Sequence, residues 1–166
     1  MNAIAQIMSP DDNCYVRRAK RQTIIETWWR RGGLDDDQYR VLDALARDCE
    51  ARLLSQSGVY TRWVGGRGSG PFYNDTQADA AIDRLERLSA ARTALATLRE
   101  PRVWRLLELV LCDVSPDPVT SVTQAARRIP CCPKRARAIL RACADLLNTL
   151  SIWRNAAQRT PIWALG

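Results

Sequence analysis

Histidine is absent from the whole chain. That excludes Ser-His and Cys-His catalysis and any histidine-ligated metal. The six cysteines (Cys14, Cys49, Cys112, Cys131, Cys132 and Cys143) contain no Cys-x-x-Cys pair, which argues against a zinc ribbon or knuckle. Neither metal nor cofactor is expected. Lysine is nearly missing too: Lys20 and Lys134 stand against 23 arginines. No apolar run approaches the roughly 18 to 20 residues of a membrane span. Met1 to Pro10 has no cationic start before its short apolar stretch, so no secretory signal is read there. The expectation is a cytoplasmic protein with reduced thiols and no membrane partner. No carboxylate pair or nucleophile–base set stands out. Gly65-Gly66-Arg67-Gly68-Ser69-Gly70 follows no strand pattern, so it is not a convincing nucleotide loop. An enzyme with a small-molecule substrate is therefore not expected.

Apolar residues make up 46% of the 166 positions, enough for a real core. The net charge is +7. GC-rich codon usage accounts for most of the arginine-to-lysine ratio. The net sign points to an anionic partner, and arginine forks suit phosphates and guanine edges.

The spacing predicts an all-α fold, a compact bundle of about five to six helices. Residues 1–13 read as a flexible leader, 14–150 as a single helical domain and 151–166 as a tail. Cys14 to Arg31 forms a basic helical stretch with Tyr15, Ile24, Ile25, Trp28 and Trp29 as apolar anchors, closed by Gly32-Gly33. Asp35 is a natural N-cap for a second helix, whose predicted buried stripe is Tyr39, Leu42, Leu45, Ala46, Cys49 and Leu53. Six acids between Asp35 and Glu50, against Arg40 and Arg47, make this helix a poor DNA face and a better protein face.

Residues 56–75 read as one long loop holding five of the eight glycines. Such loops are usually functional or disordered. Arg62, Trp63, Arg67 and Phe72 alternate cations with aromatics, a mix that can touch phosphates and stack on bases. The alternative is a connector whose aromatics tuck into the core. A third helix is predicted from Thr76 to about Arg99, with Thr76 and Asp79 resembling a capping box and Ile82, Leu85, Leu88, Ala91, Leu95 and Leu98 facing inward. Pro101 opens a fourth, the most apolar in the chain and hence the expected centre of the core. Ser115-Pro116-Asp117-Pro118 ends it.

Val119 to Leu150 then fits a helix-turn-helix. Val122, Ala126 and Ile129 face the core from its first helix. Cys132 caps the second helix, and Pro133 takes its first position. Lys134, Arg135, Arg137, Ala138 and Arg141 are left facing outward. From Ser121 to Asn148 there are six basic residues and one acid, Asp145. A recognition helix meets base edges with its N-terminal residues, which assigns Lys134, Arg135 and Arg137 to bases or their vicinity. Arg127, Arg128 and Arg141 suit phosphates. The turn glycine usual in this motif is Pro130 here, which cannot supply left-handed geometry. Cys131-Cys132 has two readings. One is an oxidisable thiol at a helix N-terminus beside Lys134 and Arg135; the other is two small residues filling a tight turn. The tail, with Trp153, Ile162, Trp163 and Leu165, either packs back on the core or anchors a partner.

Gly33-Leu34-Asp35-Asp36-Asp37-Gln38-Tyr39, the Arg-Gly segment at 65–70 and the final hairpin together resemble an alphaproteobacterial domain family at the C-terminus of gene-transfer-agent transcription activators. The likeness spans roughly residues 28–150. Ile129-Pro130-Cys131-Cys132 also resembles the double-cysteine turn of the Q-type late antitermination proteins of phages. Both resemblances imply a DNA-binding transcription regulator that loads onto RNA polymerase and carries it through terminators. The implied partners are double-stranded DNA near a promoter and polymerase, alone or with a sigma factor or a second DNA-binding regulator. Carried over, Lys134, Arg135 and Arg137 touch DNA. The acidic helix 35–50 and the loop around Arg62 to Phe72 are the candidate polymerase surfaces. A terminase-type DNA-packaging recognition subunit and a redox-sensing DNA-binding regulator are the alternatives.

Overall fold

The computed structural model describes residues 24–56, 74–113 and 115–159, with side chains from 24–52, 79–113 and 115–159. Every regular element among them is helical. α1 is described over 24–30. It is followed by α2 (Asp36–Gln56), α3 (Asn74–Ala96), α4 (Val103–Leu111), α5 (Val122–Arg128), α6 (Pro133–Thr149) and α7 (Ser151–Gln158).

Local chemistry sets the boundaries. α1 ends at Gly32, whose φ of +72° lies in the left-handed region. The Gly32 N–H donates to the Trp29 carbonyl and the Gly33 N–H to that of Trp28, at 2.8 and 2.9 Å, closing a Schellman turn. A side chain at Gly33 would collide with the Trp28 indole. α2 starts with a reciprocal box. Asp35 Oδ1 accepts from the Gln38 N–H at 2.7 Å, and Gln38 Oε1 accepts from the Asp35 N–H at 3.1 Å. α3 starts at Asn74, which places Thr76 inside the helix rather than at its cap. α6 opens as expected, with Cys132 extended at the N-cap and Pro133 first.

The core has a different centre from the one expected. α4 is deeply buried, with Val103, Leu106, Leu107, Leu109, Val110 and Leu111 all inside. Yet α6 is the element against which α2, α3, α4, α5 and α7 all pack. Its Ala136, Leu140, Cys143, Ala144 and Leu147 form that shared surface, and small residues among them admit close neighbours. Leu150 ends α6 and begins α7, so a single residue turns the chain back. Trp153 of α7 is completely buried, and its indole N–H donates to the Arg87 carbonyl at 3.1 Å. Packing back on the core is therefore what the first part of the tail does.

Two helices depart from their predicted faces. Of the expected stripe α2 buries Tyr39, Leu42 and Leu45 and half-buries Ala46 and Cys49, while the Leu53 side chain lies outside those described; it also buries Val41, Ala44 and two carboxylates, Asp43 and Asp48. Asp48 takes a bidentate fork from Arg87 of α3, at 2.7 Å to Nε and 2.9 Å to a terminal nitrogen. Asp43 pairs with Arg47 one turn on, at 3.2 Å. A carboxylate placed inside stays charged only with such a partner. On α3, Leu88, Ala91 and Leu95 are buried, but Ile82 and Leu85 are 53% and 57% exposed rather than inward. These two lie before the Arg87–Asp48 fork, where α3 meets α2.

Candidate nucleic-acid interface

The α5–α6 hairpin presents the basic surface. Ser121 caps α5, accepting from the Gln124 N–H at 3.2 Å, and Gln124 Oε1 in turn accepts from the Thr120 N–H and hydroxyl. α5 buries Val122, Ala125 and Ala126 against α4 and α6. The break at 129–132 needs no left-handed residue. Ile129 is extended (φ −106°, ψ 122°), as the residue before proline prefers, and Pro130 follows. The Cys131 N–H reaches back to the Ala126 carbonyl at 3.3 Å. The usual glycine is thereby replaced by a turn that proline itself enforces.

The expected contact residues divide into two groups. Arg127, Lys134, Arg137 and Ala138 are exposed. Arg137 donates to the Thr123 hydroxyl at 3.2 Å, which bridges α5 to α6. Arg127 lies one turn beyond Thr123, and Lys134 one turn before Arg137, so the four positions share one side of the hairpin. The Arg127 and Lys134 side chains have no hydrogen-bond or ion-pair partner among the described residues. Asp145, the single acid of the segment, accepts from Gln38 of α2 at 2.7 Å.

The remaining arginines are held by the bundle. Arg128 reaches the loop after α4, pairing with Asp113 at 3.4 Å and Asp117 at 3.0 Å and donating to the Asp117 carbonyl and the Ser115 hydroxyl. Arg141 donates to the Gly33 carbonyl at 2.8 Å, and its guanidinium lies 5.6 Å from the Trp28 ring centroid. Arg135 pairs with Glu100 at 2.8 Å while its own side chain stays 63% exposed.

Those clamps explain the local electrostatics. Asp113 loses some solvation, but hydrogen bonds from Ser115 and the Val119 N–H, with the Arg128 charge, outweigh this and hold its carboxyl below the usual range. The hydrogen bond from Arg135 holds Glu100 low in the same way. At the start of α6, the N–H groups of Arg135 and Lys134 lower the exposed Cys132 thiol. Cys131 is half-buried, with its thiol 3.5 Å from the Cys132 carbonyl.

Sequence reasoning did not find Asp113, Glu100, Gln38 or Thr123. Glu100 and Asp113 flank the two ends of α4, whereas Thr123 lies within α5 and Gln38 within α2, and nothing local marks any of them as a partner of the hairpin. The acidic helix is also less available than its composition suggests. Asp35 caps it, Asp36 accepts from the Trp29 indole, Asp43 and Asp48 pair inward and Glu50 has a partner, which leaves Asp37. Arg62, Trp63, Arg67 and Phe72 lie outside the described residues. Among the described residues no cluster of three or more metal-ligating side chains occurs, and no helix is long and apolar enough to cross a membrane. No protein-family model, curated protein or solved structure matches the chain.

Proposed function

We propose that this chain is a DNA-binding transcription regulator that engages RNA polymerase, an antitermination factor for phage-like or gene-transfer-agent late genes. The observation that carries the DNA-binding half is the bridged, outward cation group Arg127, Lys134 and Arg137, from which the one local acid is turned away. In this reading α5, the proline turn and α6 act as a helix-turn-helix. Lys134, Arg137 and Ala138 face base edges, and Arg127 takes a phosphate. Arg135 reaches the DNA by releasing or sharing Glu100. Arg128 and Arg141 orient the hairpin rather than touch DNA. The polymerase half of the proposal rests on the sequence resemblances.

Two assays test the two halves. Binding to a labelled duplex from the chain's own upstream region is followed across a salt series. Each phosphate contact contributes about −0.9 to the slope of log affinity against log salt, so Arg127→Ala makes the slope shallower by about one. Arg137→Ala costs about 1 to 3 kcal/mol and relaxes specificity at one position. No loss in Arg127→Ala, Lys134→Ala or Arg137→Ala takes DNA off the hairpin. In a purified transcription reaction, readthrough of a terminator should require both this protein and its cognate promoter. Raised promoter output with unchanged readthrough would make it an ordinary activator.

A further inference from the structure

A second site lies away from the hairpin. An open-sided cavity of about 360 Å³ sits between α2, α3 and α4. Cys49 of α2 and Cys112, the residue that caps α4, both line it. The two side chains are within hydrogen-bonding reach of each other. Arg52, Arg92 and Arg105 stand around the same space with two carboxylates, each of them paired: Glu108 with Arg105 at 3.4 Å and Asp113 with Arg128 at 3.4 Å. Arg92 is held 5.3 Å from the Trp104 ring centroid, so a cation is stationed at the wall without a carboxylate partner among the described residues. Neither cysteine is in a disulfide.

From this geometry we infer that Cys49 and Cys112 form a reactive dithiol site that exchanges with small anionic disulfides entering the arginine-lined cavity. Cys49 is the attacking sulfur: the Cys112 hydrogen bond, with the Arg52 charge, outweighs burial and the Asp48 and Glu108 carboxylates and holds its thiol below the usual range. Its electron pair forms a bond to one sulfur of the incoming disulfide, and the S–S bond breaks to release one thiolate, which is protonated. The Cys112 thiol then loses its proton and attacks Cys49, expelling the second thiol. In balance, two protein thiols and one external disulfide give one protein disulfide and two small thiols. The protein is oxidised by two electrons and the external disulfide is reduced.

The adjacent Cys131-Cys132 pair is less suited to closing a bridge. Neighbouring Cα atoms across a trans peptide stand about 3.8 Å apart, and disulfides usually need roughly 4.4 to 6.8 Å. Exposed Cys132 can still accept a single adduct.

The test uses the full chain, reduced, incubated with oxidised glutathione and then alkylated. Intact mass should show the loss of two hydrogens without a retained adduct on this pair. A non-reduced digest should give a peptide joined through Cys49 and Cys112, and dithiothreitol should reverse it. The bridge persists in Cys131→Ser/Cys132→Ser. In Cys112→Ser it is replaced by glutathione retained on Cys49. Neutral hydroxyethyl disulfide serves as the second probe: Arg92→Ala should slow the glutathione reaction several-fold and leave the neutral one unchanged. A wild-type bridge mapping to any other pair, or no bridge, overturns the site whatever the variants do. Equal slowing of both probes overturns its preference for anions. Neither outcome bears on DNA binding.

Discussion

Replacing Asp48 with alanine should be among the most damaging single changes outside the apolar core. Arg87 sends two nitrogens to the two Asp48 oxygens at 2.7 and 2.9 Å, with the side chains only 16% and 9% exposed. Removal of the carboxylate leaves a part-buried guanidinium without its bidentate partner. Breaking one side of a buried pair typically costs about 3 to 5 kcal/mol, against about 0 to 1 for a surface pair. For a chain of this size each kcal/mol lowers Tm by roughly 2 to 4 °C, so Asp48→Ala should melt about 6 to 20 °C early. Circular dichroism at 222 nm, read in both thermal and urea unfolding, measures it. A double-mutant cycle separates the pair from its cost of burial. Asp48→Leu/Arg87→Met should recover most of the loss, because well-packed apolar replacements of buried pairs are often neutral or better. A loss below about 1 kcal/mol in Asp48→Ala would refute the reasoning and reclassify the fork as an ordinary surface contact.

Three further outcomes follow from the geometry. Burial first, then the Asp43 and Glu26 carboxylates, push the Tyr39 phenol from 10.0 to about 12. Between those pH values the unfolded chain has released a proton that the folded chain keeps, so stability falls as pH rises from 10 toward 12 and is untouched below that window. The loss amounts to about 2 to 3 kcal/mol. Tyr39→Phe should flatten this part of the alkaline limb in urea titrations, leaving the share of Cys143, which burial likewise raises to about 12. Trp153→Ala should cost about 3 to 5 kcal/mol by cavity formation, and Trp153→Phe about 1 to 2 by abandoning the Arg87 carbonyl. Arg128→Ala should lower urea stability by about 1 to 3 kcal/mol, whereas its neighbour Arg127→Ala should stay within about 0.5 and change only DNA affinity.

Much of the helical plan was legible because its signals are local. Asp35 before α2, Gly32-Gly33 after α1 and Pro133 at the head of α6 each satisfy backbone groups within a few residues. The side-chain commitments were not legible, because they join positions far apart in sequence. Arg87 finds Asp48, Arg141 finds Gly33 and Arg135 finds Glu100, and nothing in the spacing marks an arginine as taken rather than free. The α3 stripe misled for a related reason. Periodicity shows which side of a helix is apolar, but not how far along its length a partner continues, and Ile82 and Leu85 lie past that point. The inward side of α6, with Ala136, Leu140, Cys143 and Leu147, was legible from its spacing; its central place was not, because an apolar side shows that a helix packs but not how many others pack against it.

The hairpin is splinted at three places, each by a different part of the chain: Asp113 on Arg128, Glu100 on Arg135 and the Gly33 carbonyl on Arg141. Three non-collinear fasteners remove rotation as well as translation. On the proposed function, a duplex gripped by Arg127, Lys134 and Arg137 would therefore fix the heading of the entire bundle, and a partner seated on α2 or α7 would ride along the DNA at a set angle. A distant substitution that loosens one fastener would shift where that cargo points while leaving every DNA-touching side chain intact. On the proposed function, affinity and regulatory output can thus be uncoupled by mutation, with Asp113, which holds an arginine assigned no DNA contact, the place to look first.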